Sequence, residues 1–178
     1  VSSFARDYLL PWAEQRGVVL LQCIGFGTGA LACVAVSEAS REHLGDCGDA
    51  PITVGIIFAQ PSLERPYIMD HGALQRLLAG VEQPLLMLSS ACCAKETKSG
   101  GLVQQLLQAR GIACEVVQFG TEPALMTRGD LAAPGSRDAF GWAVELCCEF
   151  FHRNFAASEH LIATCHQPSL PRSAPESP

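Results

Sequence analysis

Residues 22–32 read QCIGFGTGALA, an apolar run that enters three glycines, Gly25, Gly27 and Gly29, and leaves through Ala30, Leu31 and Ala32. A buried strand that turns sharply into a buried helix has this pattern, because glycine alone tolerates both a tight backbone approach and a left-handed conformation. Such a turn presents either backbone amides to a phosphate or a nucleophile above a sheet. Its central residue here is Gly27, which has no side chain.

Working outward, Val18 to Ile24 is a continuous apolar stretch of strand length, and Ala30 to Ser40 reads as the helix after the turn. Residues 41–51, REHLGDCGDAP, read as a loop. Upstream, Phe4, Tyr8 and Trp12 recur at helical spacing across Phe4 to Gln15, with Pro11 expected to bend or end that helix. Ile52 to Ala59, ITVGIIFA, is β-branched and apolar throughout, which predicts a strand buried on both faces of a parallel sheet. A proline-bounded loop, QPSLERPY, follows, then a short helix over Leu74 to Leu78 and a third strand over Leu85 to Ser89.

Leu102, Val103, Leu106 and Leu107 share one helical face before Gly111, and Ala113 to Phe119 is a fourth strand. Ser136 is placed to cap a last helix, in which Phe140, Val144, Cys147 and Phe151 form an apolar stripe expected in the core. Strands alternating with helices predict an α/β fold: a parallel sheet of about four strands with helices on both faces. Residues 1–157 form one domain, and residues 158–178 read as a Pro/Ser-rich tail with too little apolar content to pack.

The 178 residues are 48% hydrophobic and 17% charged, enough for a sizeable core. A net charge of −6 without a cluster of lysines and arginines excludes a nucleic-acid backbone binder. Nine cysteines, two pairs of them adjacent, give neither a disulfide framework nor a zinc spacing. They read as buried reduced thiols, and so as a chain of an intracellular reducing compartment, cytoplasm or organelle matrix or stroma. The five histidines are scattered, and no cofactor or metal is expected. Val18 to Val36 is uncharged for about the length of a membrane span, but Gln22 and the glycines interrupt it, so strand followed by helix is preferred and no membrane span is expected.

Two chemistries compete for the turn. Gly25-x-Gly27-x-x-Ala30 satisfies the dinucleotide fingerprint, and a nucleotide-binding module is one alternative. That motif needs an acidic residue closing the next strand about 20 residues on. Here the strand closes in Phe58-Ala59-Gln60, without a carboxylate. The second chemistry is the nucleophile elbow, because Gly25-Phe26-Gly27-Thr28-Gly29 is in register with Gly-x-Nu-x-Gly.

Three later segments fall in order behind that elbow. GFGTGA stands against an elbow that reads Gly-Phe-Cys-Trp-Gly-Gly, and Gln60-Pro61-Ser62 stands against His-Pro-Ser. PALMTRGD keeps Arg128-Gly129-Asp130 in register with His-Gly-Phe-Ala-x-Arg-Gly-Asp, and Ala139 to Phe155 matches an aromatic-rich final helix. On these motifs residues 1–157 resemble the C-terminal half of the dienelactone hydrolase family, of the α/β-hydrolase fold.

The resemblance implies where a catalytic triad would sit. The nucleophile position falls on Gly27, the histidine position on Pro123, and the acid position near Cys93, in a segment, SSACCAKET, that contains no Asp. Nucleophile, proton carrier and orienting acid each need a particular side chain, and glycine and proline supply none. The resemblance also implies strands ahead of the elbow, so the fold reads as a truncated α/β-hydrolase with an apolar edge at Val18 to Ile24.

The expected function is therefore a catalytically inactive, dienelactone hydrolase-like structural or accessory subunit, with other protein chains of a larger complex covering that edge. The enzyme alternative is a carboxylic ester or lactone hydrolase with a non-standard nucleophile, such as Cys92 or Cys93 paired with His71. Glu96, the nearest carboxylate after the third strand, reads as a solvated surface residue. Thr28 is expected to point toward the helix, and Ser62 to be a turn residue.

Overall fold

Every position from Thr53 to Ala59 is buried, so the strand Ile52–Ala59 lies between two covered faces. The computed structural model describes residues 2–46, 51–62, 70–91, 93–120 and 134–159. Its sheet has four strands, Leu20–Phe26 (β1), Ile52–Ala59 (β2), Leu85–Ser90 (β3) and Cys114–Phe119 (β4), in the order β1-β2-β3-β4. All three pairings are parallel. The register of β1 on β2 shifts once, between Leu21 and Gln22.

Helix α1 runs through Ser2–Phe4, Ala5–Leu9 and Leu10–Glu14. It is followed by Gly29–Asp46 (α2), His71–Leu78 (α3), Leu102–Gln108 (α4) and Pro134–Ala157 (α5). Parallel neighbours joined in sequential order require right-handed crossovers, which put the connecting helices on one face. There Ala30, Cys33 and Val34 of α2, Leu74 and Leu78 of α3, and Val103 and Leu107 of α4 pack with Ile56, Phe58, Leu85, Met87 and Cys114. The alternate strand positions, Ile57, Leu86, Leu88 and Phe119, face Ala143, Cys147 and Phe150 of α5. An α/β fold with a four-stranded parallel sheet and helices on both faces is thus as the sequence predicts.

The helices depart from expectation in instructive ways. Pro11 does not end α1, which continues to Glu14. The turn before it widens into a π-helix in which Leu10 N–H donates to Ala5 C=O, and Pro11 opens a fresh turn where its missing N–H is tolerated. Helix α2 continues past Ser40 to Asp46, through residues read as loop. No proline interrupts it before Pro51, and Arg41 and Glu42 are held by Glu82 and Arg6.

Helix α5 starts at Pro134, so Ser136 lies inside its first turn and is not the cap. Its buried row is Ala143, Cys147, Phe150 and Asn154, rather than the predicted Phe140, Val144, Cys147 and Phe151. Phe140 and Phe151 are half-buried and Val144 is 41% exposed. The sheet turns the helix this way because Gly55 of β2 leaves a gap for the Phe150 ring; a Cβ there would lie 3.2 Å from Phe150 Cε1.

The cysteines are not uniformly buried as expected: Cys33, Cys114 and Cys147 are, Cys23 and Cys93 are half-buried and Cys148 is exposed. Burial first, and the neighbouring Glu115 carboxylate second, push the Cys114 thiol from 9.0 up to about 12. In the unfolded chain this thiol ionises near its ordinary value, so between pH 9 and about 12 the unfolded state binds fewer protons and is favoured. Stability is therefore expected to fall as pH rises through that window. Urea unfolding at pH 8 and at pH 11 checks this: Cys114→Ala should lose less stability between the two than the parent chain.

Candidate functional site

In open parallel sheets ligands and catalytic groups collect at the carboxyl ends of the strands. At the end of β1, Gly27 adopts φ +57°, the left-handed conformation. Its N–H donates to Ala59 C=O at 3.0 Å, and its C=O accepts from Ser62 N–H at 3.1 Å. One residue pair below, a Cβ on Gly25 would lie 2.4 Å from the Gly29 carbonyl oxygen, so strand and helix touch backbone to backbone. A Cβ on Gly27 meets nothing within 4 Å. The turn therefore has a left-handed apex, a base that admits only glycine and open space above, the backbone that a nucleophile elbow requires.

Around it the expected residues are placed as follows. Thr28 is exposed, and Ser62 serves the turn through its backbone N–H. Cys93 lies just beyond β3, where its Sγ accepts from Ser90 N–H at 3.3 Å and sits 3.5 Å from Ser90 Oγ. His71 is the exposed first residue of α3, and among the described residues no hydrogen bond joins it to Cys93. The imagined Cys-His pair is not assembled there. Cys92, Pro123 and Arg128-Gly129-Asp130 lie outside the described residues, as does the tail from residue 160.

Glu96 is not a solvated surface residue. It is 4% exposed in a 3-10 turn, Lys95–Thr97, with its carboxylate 4.0 Å from Lys95 Nζ. The chain folds back hard on this turn: a Cβ on Gly101 would stand 2.5 Å from Lys95 C=O and 2.6 Å from Glu96 C=O. A carboxylate after β3 is where an orienting acid would stand, but the described residues supply it with no imidazole.

Two features were not anticipated. Gln60 has φ +49° and is the one non-glycine residue with positive φ among the described residues, directly beside the Gly27 turn. Ser89 is fully buried with its hydroxyl unpaired. The hydroxyl pair closing the apolar run LLMLSS was its only signal in the sequence.

The other conspicuous surface is the open side of β1. This strand pairs only with β2 among the described residues. Its α5-side residues Ile24 and Phe26 are 39% and 41% exposed. Val144, Cys148, Phe151 and Phe155 recur at helical spacing along α5, and Gln22 Nε2 donates to Phe151 C=O at 2.8 Å, tying the Phe151 to Phe155 end of that stripe to β1. A groove of about 390 Å³ opens between Gln22, Phe151 and Phe155.

Among the described residues no group of three or more His, Cys, Asp and Glu is placed to hold a metal ion. No described helix is long and apolar enough to cross a membrane. Compared with protein families, curated proteins and solved structures, the chain matches no family model, no curated protein and no solved structure.

Proposed function

We propose that the chain is a catalytically silent relative of the dienelactone hydrolases that serves as a structural or accessory subunit of a larger protein assembly. The observation that carries this reading is the turn at Gly27, whose backbone keeps a left-handed apex and a glycine-only base while the apex has no side chain to react. Glycine can neither attack a carbonyl nor pass a proton.

The open side of β1 supplies the positive half of the reading. A strand edge beside exposed Ile24, Phe26 and Phe155 suits a partner protein that adds a strand and lays apolar side chains on the α5 stripe. The free thiols of the described cysteines suit an intracellular reducing compartment.

An activated aryl ester tests the silent elbow. No turnover above buffer is expected. Turnover that falls in Cys92→Ala or Cys93→Ala would establish the non-standard hydrolase instead. The nucleotide-binding alternative requires a dinucleotide at saturation to raise the thermal midpoint; no rise is expected.

A further inference from the structure

We infer that Cys23 and Cys33 form a redox-active dithiol, which hydrogen peroxide converts to a disulfide stapling β1 to α2 across the glycine turn. The pairing follows from the register of strand on helix. Gly25 and Gly29 meet backbone to backbone at the turn. Cys23 lies two residues back along β1, on the same strand face, at about 6.6 Å. Cys33 lies four residues on along α2, one helical turn from Gly29 on the same helix face, at about 6 Å. Because α2 folds back over β1, these two displacements run side by side and bring the thiols together. Both belong to the core packed between the sheet and α2, Cys33 buried and Cys23 half-buried against it.

Their protonation fits complementary roles. The neighbouring Cys33 thiol lowers Cys23 below the ordinary thiol value, against the opposing effect of burial. The same interaction, and then burial, raise Cys33. Cys23, half-buried on β1, is the more accessible thiol and so the peroxide-reactive residue, and the buried Cys33 is the resolving one.

The chemistry balances in two steps. Cys23 thiolate attacks one peroxide oxygen; an S–O bond forms, the O–O bond breaks, and the departing hydroxide takes a proton to leave as water. Cys33 sulfur then attacks the sulfenic sulfur; an S–S bond forms, the S–O bond breaks, and the Cys33 proton leaves with the hydroxyl as a second water. Two thiols lose two electrons in all, and one peroxide gains them. The product needs sulfurs about 2.05 Å apart, a closure that brings α2 slightly toward β1 and fixes the turn.

Exposing the reduced full chain to peroxide, followed by non-reducing peptide mapping, tests this. The expected result is a Cys23–Cys33 cross-linked peptide that forms before oxidation of the exposed Cys148. In Cys33→Ala the sulfenic acid should persist on Cys23 and be trapped by a dimedone-type reagent, and alkylation of Cys23 at neutral pH should slow several-fold. In Cys23→Ala, Cys33 should stay reduced. Absence of the cross-linked peptide in the parent chain, or trapping of sulfenic acid on Cys33 in Cys23→Ala, would overturn the proposal.

Discussion

Replacing Gly25 with alanine is expected to destabilise the protein by about 3 kcal/mol or more, a lowering of the thermal midpoint of roughly 10 °C. The added methyl carbon would sit 2.4 to 2.6 Å from the carbonyl oxygen and carbon of Gly29 and the nitrogen of Ala30. All three are backbone atoms, so no side chain can swing away, and the end of β1 must part from the start of α2. That separation would disturb the hydrogen bonds from Gly27 to Ala59 and from Ser62 to Gly27 as well.

Two neighbours calibrate the effect. Gly27→Ala meets open space but keeps φ +57°, which costs an L-residue about 1–2 kcal/mol. Gly29→Ala meets nothing and has no positive φ, so its effect should stay within about 0.5 kcal/mol. Thermal melts of the three variants should rank Gly25 far below Gly27, and Gly27 below Gly29. Equal midpoints for Gly25→Ala and Gly29→Ala would show that strand and helix do not meet there.

The second large effect is expected at Phe150→Ala, a loss of about 3–5 kcal/mol. Phe150 is 2% exposed and packs with Ile57, Leu86, Leu88 and Phe119, the sheet face that α5 covers. Its ring rests over Gly55, where the backbone of β2 leaves no side chain to fill the void, so removal leaves a cavity that neighbours cannot close. Val144→Ala, on the exposed side of the same helix, is expected to change stability by no more than about 0.5 kcal/mol. Paired denaturant titrations check both. A reversed order would mean that the Val144 row, and not the Phe150 row, faces the sheet.

That contrast shows what the sequence could decide and what it could not. Residues 52–59 carry a run that only a strand buried on both faces explains, and the three glycines after β1 locate the strand-to-helix turn; both depend on local pattern alone. Helix α5 was different, because apolar side chains occur nearly all round it, Phe140, Trp142, Val144, Phe150, Phe151 and Phe155 among them. Spacing allows two stripes, and the gap over Gly55 selects one. Of the rejected stripe, Cys147 joins the buried row and Phe151 is the member tied to β1 through Gln22.

The site was legible as a turn and less so as a constellation. Gly27 could be assigned from its place between Gly25 and Gly29, since a left-handed apex and a tight base are properties of neighbouring residues. The burial of Glu96 could not, because a charged residue after a strand has no local pattern that marks it as buried. Gln60 gave no signal either: a left-handed glutamine is set by the hydrogen bond from its N–H to Leu88 C=O and by the adjoining turn, not by its own preference.

The native mass of the protein in an extract of its own source, set against the mass of the same polypeptide after denaturation, tests the proposed role most directly. The reading of an inert elbow beside an open strand predicts a native mass well above that of the polypeptide, with defined companion proteins. It further predicts that Ile24→Asp with Phe26→Asp returns the chain to the mass of one polypeptide. A native mass equal to that of one folded polypeptide, unchanged by the two aspartates, would contradict it.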